Sequence, residues 1–192
     1  MSQTATGVVA APTVHGPPRV GAAGMWTFLA TDAMGFGGLF IAYGVLRVRS
    51  EAWPDPRAHL GLGLAAAMTF GLLASAFTMT QAARAKAARA RLGWLLLTAA
   101  LGLGFLGAEV AEYRRLWAAA EPVRIGSGLY GGTFYALTGY HGLHVSAGVV
   151  SLLAVALRGA RSRTVEVLAL YWHFVDLAWM PIFTFLYLMP SR

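Results

Sequence analysis

The chain has 192 residues, of which 57% are apolar and only 12% charged, against roughly 45–50% and 25% in an average soluble domain. So few charges cannot cover a water-exposed globule of this size, which excludes the soluble classes and points to a bundle solvated by lipid. The net charge of +7 then reads as basic loops near anionic headgroups rather than nucleic-acid binding, and with no cysteine disulfides, thiolate catalysis, iron–sulfur ligation and Cys-bound zinc or copper are excluded.

Residues 1–24 read as a polar, Pro-containing tail (Pro12, Pro17, Pro18) expected to be flexible. It lacks a charged start followed by an apolar run and a small-residue cleavage site, so it is not read as a signal peptide. Residues 25–192 form the membrane domain: an all-α, polytopic bundle of five transmembrane helices, each long enough to cross a hydrocarbon core that needs about 20 residues. The spans are expected over 25–46, 60–83, 92–113, 129–157 and 165–189. The Ala-rich stretch 81–90 reads as either a helical extension or a basic loop, and Arg84, Lys86, Arg89 and Arg91 form the densest positive cluster in the chain. With the N-terminus inside, inner segments carry eight basic residues and outer segments seven. The count is nearly even, so the density of that cluster decides for a cytoplasmic N-terminus under the positive-inside rule.

Acids and imidazoles at membrane depth are costly, about 2.5–3.5 kcal/mol for Asp at a helix centre, and need partners. The first span holds Asp32, roughly 10 Å from its inner end at about 1.5 Å per residue. The third holds Glu109 and Glu112, the fourth His141 and His144, and the fifth Glu166, His173 and Asp176. His141 and His144 share a face of their helix, as do Glu109 and Glu112. If the spans alternate in direction, His173 lies roughly 12 Å and His144 roughly 20 Å above the inner boundary. Asp32, His173, Asp176 and His144 are then expected to meet in one polar knot, with Glu109 and Glu112 an acidic pair nearer the outer surface. Gly35, Gly37 and Gly38, Gly102, Gly104 and Gly107, and Gly139 and Gly142 lie beside these residues, where small residues let helices approach. Trp53, Trp117, Tyr130 and Tyr187 fall near span ends and read as interfacial anchors. The residues alone leave open whether the knot handles protons or only fixes packing. They also leave open a haem b anchor, with His144 and His173 as axial ligands, and an independent proton or solute carrier.

Several segments are similar to one family. Gly24-Met-Trp-Thr-Phe-Leu-Ala-Thr-Asp32 with Phe36-Gly-Gly-Leu-Phe40, Phe134-Tyr-Ala-Leu-Thr-Gly-Tyr-His-Gly-Leu-His144-Val, and Leu170-Tyr-Trp-His-Phe-Val-Asp176-Leu-Ala-Trp179 resemble, in order, haem-copper oxidase subunit III. Phe105-Leu-Gly-Ala-Glu-Val-Ala-Glu112-Tyr is a looser match, and the resemblance covers about Gly24 to Met189. It implies the short, five-helix bacterial form: a non-catalytic subunit in the cytoplasmic (inner) membrane that packs on subunit I, with subunit II and further subunits as partners. By the same resemblance, haem and copper reside in the partner catalytic subunits and none is bound by this chain. Structural phospholipid is bound, and proton uptake and complex stability are supported. Asp32 takes the place of a membrane-buried carboxylate, and Arg158 meets a lipid phosphate or is an ordinary interfacial arginine. Longer family members carry two further N-terminal helices that form one wall of a lipid cleft. The final-helix segment is similar to the cytochrome c branch, while Asp32 and Glu109 are similar to the quinol-oxidising branch. An accessory subunit of nitric oxide reductase is a third relative.

Overall fold

The computed structural model describes residues 20–51, 53–55, 60–119, 123–126 and 128–189. Its helices are α1 (Val20–Arg49), α2 (Leu62–Arg84), α3 (Ala88–Ala118), α4 (Leu129–Leu157) and α5 (Ser162–Phe183), the last continuing as a π-helical turn over Thr184–Leu188. All five are long and apolar enough to cross a membrane. The tail expected over 1–24 lies outside the described residues as far as residue 19. Residues 20–24 belong to α1, because Val20-Gly-Ala-Ala-Gly24 has no proline or charge to end it. The 81–90 stretch is mostly helical, with only residues 85–87 breaking the chain. Arg91 makes that tight turn possible. Its guanidinium donates to Ala85 O at 2.8 Å, satisfying a carbonyl freed at the helix end, and to Ala160 O at 3.0 Å in the α4–α5 turn.

α2 to α5 close into a ring in which α2 and α4 each pack on α3 and α5, while α1 leans on the outside against α4 and α5. The burial pattern of α1 shows why it sits there. Leu29, Phe36 and Tyr43 recur every seven residues as a narrow seam, whereas Met34 and Ile41 on other faces are 77% and 70% exposed. Lipid removes the hydrophobic drive between helices, so packing and hydrogen bonds must hold them. Trp172 on α5 is the central wedge: a Cβ on Gly102 would stand 2.7 Å from its ring, and one on Gly148 2.8 Å from it. Its Nε1 donates to Ser75 Oγ at 2.9 Å, and seven residues on Trp179 Nε1 donates to Thr69 Oγ1 at 2.9 Å. The two indoles thereby pin α5 antiparallel to α2.

The end opposite the Arg91 turn is also locked. Pro181 has no amide hydrogen to continue the helical ladder, and just beyond it the helix widens into the π-helical turn. Tyr43 Oη donates to Phe185 O in that turn at 2.7 Å and accepts from Arg47 Nη1 at 2.7 Å. Tyr43→Phe is expected to destabilise the fold by about 1–2 kcal/mol, since it strands a buried carbonyl and a guanidinium hydrogen together. Thermal unfolding in detergent checks this. Trp53, Tyr130 and Tyr187 are buried in this end (3%, 6% and 2% exposed), so they are packing residues rather than the interfacial anchors expected; Trp117 alone of the four is open, at 55%.

Candidate functional site

The expected knot divides into separate clusters, because residues three or four apart on a helix still differ by tens of degrees in direction. The first joins α1 and α4. His144 Nε2 lies 3.0 Å from Asp32 Oδ1, and Tyr140 Oη donates to the same oxygen at 3.1 Å. His144 Nδ1 lies 2.7 Å from Tyr140 O. A carbonyl only accepts, so Nδ1 carries a hydrogen, which leaves Nε2 as the atom that faces Asp32.

Local sequence sets this geometry. Gly35 allows the phenol in, since a Cβ there would lie 2.9 Å from Tyr140 Oη. Phe36 packs its ring 4.8 Å from that of Tyr140 and 5.2 Å from that of His144. Tyr171 Oη donates to His144 O at 2.9 Å, fixing this turn of α4 to α5.

His173 and Asp176 do not reach Asp32; they face α2. His173 Nε2 lies 3.4 Å from Thr80 Oγ1, whose hydrogen goes to Ala76 O. Asp176 is buried against Ser75, but that hydroxyl already donates to Leu72 O and accepts from Trp172 Nε1. Neither carboxyl oxygen of Asp176 has a hydrogen-bond partner among the described residues. Glu166 is a correction: it is exposed near the start of α5, where Ser162 Oγ donates to it at 3.2 Å, and it takes no part in a buried network. His141 also departs from expectation. It turns away from His144 into an aromatic box, 5.4 Å from the Phe105 ring and 5.2 Å from that of Trp179, fully buried and with neither nitrogen paired among the described residues.

Toward the other end, Glu109 and Glu112 lie inside the bundle (6% and 1% exposed). Tyr113 Oη donates to Glu109 Oε1 at 3.0 Å and sits 2.7 Å from Thr138 Oγ1. Tyr187 Oη donates to Glu112 Oε2 at 2.6 Å, and Arg115 approaches Oε1 at 3.7 Å. A Cβ on Gly142 would collide with Glu109 Oε2, whereas Gly37, Gly38, Gly104 and Gly107 border open space and are not close contacts. Arg158 is exposed beside a surface cavity that Val155, Arg161 and Thr164 complete. Among the described residues no three His, Asp or Glu side chains are grouped to hold a metal ion. His144 engages α1 and His173 engages α2. Sequence reasoning missed the hydroxyl partners Tyr140, Tyr171, Tyr113, Thr138, Tyr187 and Thr80. Only the placement of Tyr140 four residues before His144 could have signalled its share in that cluster.

Fold and site together define a polytopic membrane protein that carries a close acid–imidazole contact between two of its helices. Residues 19–191 match the family described as cytochrome c oxidase subunit III. Similar proteins include cytochrome c oxidase subunit 3 of Thermostichus vulcanus, 33% identical over 94% of this chain and 93% of the relative, and that of Synechocystis sp., 36% identical over 91% and 78%. Quinol oxidase subunit 3 of Bacillus spizizenii is 32% identical over 89% and 88%. The chain belongs to the cytochrome c oxidase subunit III family: it is subunit III of a haem-copper oxidase, a membrane protein that works in a complex with catalytic subunits.

Proposed function

We propose that this chain is the non-catalytic subunit III of a cytochrome c-oxidising complex in a bacterial inner membrane, with its N-terminus cytoplasmic. It packs directly on subunit I, with subunit II alongside. Haem and copper belong to those partners, and this chain stabilises the assembly, binds structural phospholipid and supports proton uptake. The observation that carries the reading is the 3.0 Å contact between Asp32 and His144. It pairs two ionisable side chains at membrane depth, on the α1 side of the bundle, and intramembrane pairs of this kind mark proton relays.

Asp32→Asn is the incisive variant, because the amide keeps the size and can still donate to Nε2 but cannot release a proton. In the intact oxidase the variant is expected to assemble normally yet take up protons several-fold more slowly, with turnover falling off over repeated cycles. Rapid-mixing measurements with a pH-indicator dye check this. Wild-type uptake kinetics in an assembled Asp32→Asn complex would leave the pair a packing device. The quinol branch is the second reading, favoured by the Bacillus spizizenii relative. Turnover of the purified complex with reduced cytochrome c against a quinol separates the two.

A further inference from the structure

At the end of the bundle opposite the Arg91 turn, α3 ends at Ala118 and α4 begins at Leu129. Tyr135 Oη reaches out to Val123 O at 2.9 Å, and its ring lies 4.9 Å from that of Tyr113. Segment 123–126 is thus held beside the last turns of α3. Between them runs a groove of about 500 Å³, inside the roughly 300–1,000 Å³ range of small-ligand sites. Val110, Tyr113, Trp117, Ile125 and Tyr135 line it, and Arg114 is the one charged wall among the described residues. Val110, Trp117 and Ile125 are 48%, 55% and 66% exposed.

An apolar surface on a membrane helix is ordinary; a concave one that ends in an unneutralised cation is not. The neighbouring Arg115 approaches Glu112 at 3.7 Å, whereas no described group pairs with Arg114. A guanidinium is the side chain best shaped to grip phosphate oxygens in a fork. Arg114 and Trp117 lie within the last five residues of α3, at the depth where tryptophan rings mark the headgroup level. The groove is therefore complementary to a ligand with hydrocarbon at one end and a phosphate at the other.

We propose that this groove is a binding site for one anionic phospholipid, its acyl chain against Val110, Tyr113, Trp117 and Ile125 and its phosphate on Arg114. It lies at the opposite membrane face from Arg158 and is formed by different helices from those around the Asp32–His144 pair, so it stands or falls apart from the proton-uptake reading.

The test uses the intact oxidase in nanodiscs doped with phosphatidylglycerol that carries a photoreactive diazirine on its acyl chain, followed by peptide mapping. Label is expected on the peptides spanning 110–118 and 123–135. Arg114→Gln should lower it about fivefold, the worth of one basic residue at an anionic membrane surface, and Arg114→Lys should lower it less. Unlabelled phosphatidylglycerol should compete better than phosphatidylcholine, a comparison that holds on the wild-type complex even if the glutamine variant fails to assemble. Equal labelling from both headgroups, or labelling indifferent to Arg114, would overturn the proposal by showing only an apolar surface. Groove peptides left unlabelled while other lipid-facing peptides of the complex are labelled would overturn it in favour of a face covered by another subunit.

Discussion

Trp172→Ala is expected to remove about 3 kcal/mol from the stability of the bundle, the low end of what buried tryptophan truncations cost. The indole is fully buried, touches the small-residue positions Gly102 and Gly148 on two neighbouring helices and hydrogen-bonds Ser75 on a third. In lipid the lost apolar transfer term is small, so the effect comes from the cavity, the missing dispersion contacts and the stranded hydroxyl. Unfolding of the purified chain by denaturing detergent, followed by helical ellipticity, measures it. A midpoint unchanged from the native protein would mean that α2, α3 and α4 hold together without the wedge.

His144→Ala should cost a similar amount by another route. The Asp32 and His144 side chains are 8% and 14% exposed, and breaking a buried acid–base pair from one side leaves the other group uncompensated, typically at about 3–5 kcal/mol. Asp32 would keep only Tyr140, and Tyr140 O would lose its donor. Because α1 touches the ring of helices through a narrow seam, the expected consequence is loosening of α1, read as faster proteolysis near its ends and loss of the chain from the purified oxidase. Asp32→Leu with His144→Leu should recover much of the stability, since apolar replacement of a whole buried pair is often neutral. Proton uptake should stay impaired in that double variant, which separates the structural from the chemical contribution of the pair.

The family and the five helices of membrane-spanning length were readable from the linear order of residues. Hydrophobic runs of span length report their solvent directly: each expected span overlaps one helix, although 60–83 starts ahead of Leu62 and 165–189 runs past Leu188. α1 nevertheless begins five residues earlier, because nothing in Val20–Gly24 stops it. That Asp32 needs a partner on another helix followed from the cost of a lone acid in hydrocarbon. Which partner it takes did not follow. Spacing along one helix fixes depth and approximate face, but small angular offsets and the rotation of each helix against its neighbours decide contacts. Those rotations come from packing: Phe36 between Tyr140 and His144, and Trp172 against Gly102 and Gly148. They send His144 to Asp32, His141 into an aromatic box, and His173 with Asp176 toward α2, while Glu166 stays at the surface. Composition and span length were enough to put these polar groups, Glu166 apart, inside a membrane bundle. The tertiary structure alone decided how they pair, because pairing depends on distances between helices that no one-dimensional spacing encodes.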